Sequence, residues 1–193
     1  MKTIIFDVDG VLADFVAGVS KLVCPESPIT TVSNPSMYWD FRDIWSPEAA
    51  DRAWSTIKND PDWWANLPPM VERDVFDRIE RLHWDHHVLF VTARVSDFNV
   101  QAQTRCWLIG MGIDDPAVVV TNKKGDIARA VNADYHIDDK PENAACVHWM
   151  ADMKPCRSYH LDHYNGRRSA WLPRNVRRVT SVIEFIQDIE DGK

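Results

Sequence analysis

The segment Asp7-Val8-Asp9-Gly10 places two carboxylates two residues apart, directly after the apolar run Thr3–Phe6. A pair so spaced can share the work of a displacement. One carboxylate attacks an electrophilic centre, while the other gives a proton to the departing oxygen and later takes one from water. By itself such a pair is more often a solvated turn than a site. Here three more segments end in the same manner. Val88–Val91 runs into Thr92-Ala93-Arg94, Ala117–Val120 into Thr121-Asn122-Lys123-Lys124, and Tyr135–Ile137 into Asp138-Asp139-Lys140. The chemistry this assembles is phosphoryl transfer. Asp7 serves as nucleophile, Asp9 as general acid and base, and Thr92 with Lys124 or Lys123 offers a hydroxyl donor and a positive charge to the phosphoryl group. Asp138 and Asp139, with Asp7 and the backbone carbonyl of Asp9, make the oxygen-rich shell that Mg²⁺ favours.

These clusters need elements that bring them to one place. The four runs, with Ser158–Leu161 as a fifth, are near-continuously apolar or β-branched, as strands covered on both faces are. Helical periods separate them: Val71, Val75, Ile79 and Leu82 form one apolar stripe, and Val100, Thr104, Trp107, Leu108 and Met111 another, with Gly112 as a stop. Further helices are expected near Gly125, at Pro141, and over residues 180–189. Strand and helix in alternation predict an α/β fold, a doubly wound, Rossmann-like parallel sheet of five strands. In such a sheet ligands sit at the carboxyl ends of the strands, where all four clusters lie. Residues 16–70 break the rhythm. They hold seven of the eleven prolines and five of the nine tryptophans (Trp39, Trp45, Trp54, Trp63 and Trp64). The expected organisation is a core of residues 1–15 and 71–193 with a small helical, aromatic-rich cap at 16–70.

Composition bounds the partners. The 193 residues carry a formal net charge of −7. That balance disfavours polymeric nucleic acid and anionic membrane, which need cationic surface, but not a small anion held by a metal. No apolar run approaches the ~18 residues of a membrane span, and Met1–Phe6 lacks a signal peptide's long core. A cytoplasmic protein is expected, with Cys24, Cys106, Cys146 and Cys156 as reduced thiols. His83, His86 and His87 fall at the amino end of a strand, away from the active edge, and read as a turn rather than a metal site. His160 and His163 follow the fifth strand on the active side, where structural hydrogen bonds are expected. Arg167, Arg168, Arg174, Arg177 and Arg178 form the one basic concentration, expected as a solvated face or in ion pairs with the acidic insert.

Asp7-x-Asp9-Gly10-Val11, Thr92, Lys124 and Asp138-Asp139 resemble, in order, the four motifs of the haloacid dehalogenase-like phosphatases, over essentially the whole chain. The resemblance implies a phosphoaspartyl intermediate on Asp7, acid–base work by Asp9, and Mg²⁺ as cofactor. The stretch Asp7–Phe15 and the Asp138-Asp139-Lys140-Pro141 turn are similar to the 5′(3′)-deoxyribonucleotidases, which take phosphate from deoxynucleoside monophosphates. That likeness implies a small nucleotide as substrate and a base pocket drawn from Phe15, Tyr38, Trp39, Trp63 and Trp64; Phe15, Tyr38, Trp39 and Trp64 are the expected contacts. Lys140 stands where that family has arginine. Thr92-Ala93-Arg94 departs from its usual Thr-Ser-Pro, so Ala93 lacks a hydroxyl and Arg94 either replaces that phosphate contact or accepts a different substrate. The alternatives are another phosphomonoester, such as a polynucleotide 3′-phosphate end, or a non-catalytic nucleotide binder. The sequence does not distinguish a monomer from a homodimer.

Overall fold

The computed structural model describes residues 1–31, 45–150, 155–163 and 172–192. Its centre is one parallel sheet in the order β3-β2-β1-β4-β5-β6. The strands are β1 (Thr3–Phe6), β2 (His87–Thr92), β3 (Ala117–Val120), β4 (Tyr135–Asp138), β5 (Arg157–Leu161) and β6 (Arg177–Val179). From β1 the chain winds outward through β2 and β3, then returns to β4 on the other side of β1 and winds the opposite way. The loops after β1 and β4 therefore diverge and leave a crevice between adjacent strands, which is where such sheets bind ligands.

The sheet has six strands, not the expected five. β6 pairs with β5 through Tyr159↔Arg177 and Leu161↔Val179. It is an edge strand of three residues, of which only Val179 is buried. With three residues, two of them exposed arginines, it lacks the apolar run that marks the other strands. Among the described residues, both of its arginines find acidic partners. Arg178 meets Asp162 at 3.3 Å, while Arg177 pairs with Asp188 and lies over the Tyr159 ring.

Alternate strand residues enter opposite faces. Ile4 and Phe6 join one apolar cluster, and Ile5 the other. The first face is covered by α3 (Arg73–Asp85), α4 (Val100–Gly110) and α7 (Val182–Glu190), with Phe185 edge-on to Phe6 and Tyr159. The second is covered by α5 (Lys124–Ala130) and α6 (Pro141–Met150), through Ala128 and Val147. Pro141 starts α6, where a missing N–H costs nothing.

Between β1 and α3 lie α1 (Phe15–Val23), α2 (Pro47–Asn59) and a 3₁₀ turn, Trp63–Ala65. Asp14 caps α1, accepting from the Ala17 N–H at 2.9 Å, and Ser46 caps α2 ahead of Pro47. Phe15 stacks on Trp64 with ring centroids 5.5 Å apart and planes 7° from parallel, and Trp63 stands edge-on to both. These rings belong to the same buried cluster as Phe6 and Phe90. Tyr38 and Trp39 lie outside the described residues. The four cysteines are free thiols. Among the described residues no helix is long and apolar enough to cross a membrane.

Candidate active site

The loop leaving β1 is closed by its own backbone: the Leu12 and Ala13 N–H groups both donate to the Val8 carbonyl at 2.8 Å. Gly10 takes φ +80° at the apex, and a Cβ there would overlap the Asp139 carboxylate. Both the left-handed backbone and the close approach require glycine. The loop thus seats Asp7 against Asp138 and Asp139 at the carboxyl end of β4.

Lys124, the first residue of α5, ties these acids together. Its Nζ is 2.7 Å from Asp7 Oδ1 and 2.6 Å from Asp138 Oδ2, and it is buried, whereas the neighbouring Lys123 is exposed. Successive helix residues point about 100° apart, so only one of two adjacent lysines can face the crevice. Asp138 Oδ1 accepts from the Lys140 N–H at 2.9 Å and from Asn143 Nδ2 at 3.0 Å. Asn143, in the first turn of α6, was not anticipated; a polar residue in the helix turn after Asp138-Asp139 was the available signal. His160 Nε2 donates to the Asp139 carbonyl at 3.0 Å, and His163 Nε2 to the Gly10 carbonyl at 2.6 Å. These bonds brace both acidic loops from behind, through backbone atoms.

Three acids share one ammonium, and the titration behaviour follows. Burial, then the Asp138 charge, pushes the Asp7 carboxyl up to about 7. Burial and the charges of Asp7 and Asp138 hold Asp139 well above the usual carboxylate range. Burial also works against the charged form of Asp138, but Lys124 and then His136 outweigh it and keep its pKa low. Lys124 is raised in turn, since the Asp138 and Asp7 charges exceed the effect of its burial.

A divalent cation suits this donor set. One oxygen each from Asp7, Asp138 and Asp139 lie within 4.8 Å of one another, the one such group of three among the described residues. Asp139 Oδ1 is buried without a hydrogen-bond partner. Hard oxygens with excess negative charge are what Mg²⁺ takes. Among the described residues no comparable group forms around His83, His86 and His87 or around His160 and His163.

The acids open on a cavity of about 60 Å³ lined by Asp7, Asp9, Thr92, Ala93, Lys124, Lys140 and Asn143. That is room for about four water-sized groups, the size of a phosphoryl group rather than a nucleoside. Phe15 and Trp64, expected at substrate, are 2% exposed and do not line it. Arg94, expected at phosphate or substrate, turns instead onto Asp9: its Nε and Nη2 donate to Oδ2 and Oδ1 at 2.9 and 2.7 Å. Thr92 Oγ1 donates to the same carboxylate at 3.1 Å.

A doubly wound sheet with aspartate pairs after its first and fourth strands, and a lysine bridging them, defines a haloacid dehalogenase-like hydrolase. A protein of Burkholderia xenovorans LB400 described as a haloacid dehalogenase-like hydrolase shares the fold, with a TM-score of 0.58 over 97% of this chain and 96% of that one. The two are 16% identical, so the likeness is one of fold alone. The chain belongs to the family described as 5′ nucleotidase, deoxy (pyrimidine), cytosolic type C, whose model matches residues 1–171. It is accordingly a hydrolase of the phosphatase and nucleotidase kind. No curated protein matches the sequence.

Proposed function

We propose that this protein is a Mg²⁺-dependent phosphomonoesterase of the cytoplasm that acts on nucleoside monophosphates, deoxy ones foremost. The observation that carries the reading is Lys124 bridging Asp7 and Asp138 beside a cavity of phosphoryl size. Asp7 attacks phosphorus, the P–O ester bond breaks, and Asp9 gives its proton to the departing oxygen. Asp9 then takes a proton from water, which attacks the phosphoaspartyl group and frees phosphate. Lys124 faces the phosphoryl oxygens, Thr92 lines the cavity with its hydroxyl on Asp9, and Lys140 and Ala93 complete the lining. Asp7, Asp138, Asp139 and the Asp9 carbonyl would hold Mg²⁺, which would supply the positive charge that lets a carboxylate approach a phosphate.

Residues 16–70 act as the cap in this proposal. Tyr38 and Trp39 stack on the base, a contact worth about 1–3 kcal/mol per base. Phe15, Trp63 and Trp64, packed on one another, support the aromatic insert from within. The family's description supports the nucleotide. Phosphate release from a panel of ribo- and deoxynucleoside 5′- and 3′-monophosphates with Mg²⁺ is the test. Highest kcat/KM is expected on a deoxynucleoside monophosphate. A flat, low profile beside strong activity on a sugar phosphate sinks the nucleotide reading, and activity undiminished by EDTA sinks the metal.

A further inference from the structure

The geometry points to Arg94 as the positioning residue for Asp9, with Trp64 as the roof that holds Arg94; this rests on the proposed role of Asp9 as general acid. Arg94 follows β2, and its side chain is wholly buried. Besides its two bonds to Asp9, its Nη1 donates to Thr104 Oγ1 at 2.9 Å. The guanidinium lies 4.8 Å from the Trp64 ring centre. Trp64 is fixed in turn, its Nε1 donating to the Val95 carbonyl at 3.1 Å and its backbone N–H to Gln103 Oε1 at 3.0 Å. A chain of contacts therefore runs from the stacked Phe15–Trp64 pair, through Arg94, to Asp9.

A carboxylate offers about four lone-pair positions. Arg94 Nε and Thr92 Oγ1 occupy both on Oδ2, and Arg94 Nη2 occupies one on Oδ1. Among the described residues, one position on Oδ1 remains, on a side chain that lines the phosphoryl-sized cavity. The clamp thus turns a symmetric carboxyl group into a single proton port and fixes its plane. When the ester bond breaks, its electron pair stays with the leaving oxygen. Asp9, protonated at that open Oδ1 position before the step, gives that proton to the leaving oxygen and becomes a carboxylate, and the phosphoryl group goes to Asp7. A substrate contact for Arg94 is the competing view, but the residue does not line the cavity. A purely structural ion pair is the plainer one, and buried pairs are weak evidence for stability.

Leaving-group dependence separates these views. A nucleoside 5′-monophosphate departs as an alkoxide and needs the proton, whereas p-nitrophenyl phosphate departs as a stable phenolate and hardly does. In Arg94→Gln, kcat/KM for the nucleotide is expected to fall about 10²-fold, the scale of general acid catalysis, and for p-nitrophenyl phosphate by less than about tenfold. Arg94→Lys should fare little better, because an ammonium keeps the charge but lacks the fork. Both substrates meet the same folded enzyme, so their ratio is unaffected by any loss of folded protein. Thr104→Val loosens Arg94 while sparing it, and the ratio should shift the same way by about threefold. Equal losses on both substrates, a rise in KM alone, or full rescue by lysine overturns the inference and spares the proposed function. An unmodified protein that releases phosphate from neither substrate overturns both.

Discussion

Asp7 and Asp9 are two residues apart and equally buried, yet they sit in opposite electrostatic surroundings. Asp7 shares one ammonium with Asp138 and crowds against Asp139, so its cluster holds three acids and one lysine. Asp9 meets a single guanidinium fork and a hydroxyl, so its cluster is balanced. The contrast assigns the work. Unbalanced charge with an orphaned oxygen is a demand for a cation, and a cation is what permits an anion to be attacked by an anion. A balanced clamp makes no such demand and suits a group that must hold one orientation and pass one proton. The loop leaving β1 carries both Asp7 and Asp9 into the crevice, and what packs against each makes them different.

The severest test of the contrast is Asp7→Asn. Loss of about 10⁴-fold or more in phosphate release is expected, as for other nucleophiles, with an unchanged circular dichroism spectrum. Because the substitution also removes one of three crowded acids, the metal-free protein should become more stable, not less. A variant that is both inactive and destabilised would break the account of the crowded cluster.

Lys124→Met comes next. It removes the ammonium that bridges Asp7 and Asp138 and leaves the buried Asp138 without its ion pair. Release should drop about 10²–10³-fold, and unfolding free energy by about 3–5 kcal/mol, read from the denaturant midpoint. Lys123→Met, at an exposed position, should change neither measurably; comparable losses from the two lysines would contradict the placement of Lys124.

The smallest effect is one of pH. In the metal-free fold Asp7 titrates near 7 against 3.8 unfolded, so between these values the folded state binds more protons than the unfolded. Its contribution to stability is therefore fully present below about pH 4 and lost as pH rises through about 7. Asp139 acts with the same sign. The buried His136 and His160 and the half-buried His163, lowered chiefly by desolvation, push the other way. Comparison with Asp7→Asn in EDTA isolates the aspartate: the stability gap should widen from pH 4 to pH 7. Mg²⁺ competes with those protons, so its thermal stabilisation should be greater at pH 8 than at pH 5. A shift in melting temperature independent of pH would argue that the cation does not sit on Asp7.

Much of this was legible because strand ends are local features. Thr3–Phe6 and Ala117–Val120 are strands with the bounds their apolar runs suggest, and each is followed by the polar residues that reach the crevice. β6 was not legible, since an edge strand with two arginines carries no apolar signature. Nor was the partner of Arg94, which lies 85 residues away in sequence. Trp64 shows the same limit: composition marks an aromatic-rich insert, but only packing decides which rings face a ligand and which support one another.

The amino-acid sequence by itself determined the alternation of strand and helix, and with it the gathering of Asp7, Asp9, Thr92, Lys124, Asp138 and Asp139 at one sheet edge, because periodicity and chain direction suffice for that. The tertiary structure alone decided that Lys124 bridges the acids, that Asp139 keeps an unpartnered oxygen, and that Arg94 clamps Asp9 beneath Trp64. Those outcomes depend on side chains distant in sequence meeting within hydrogen-bonding range, where burial removes water and makes each unmatched charge count.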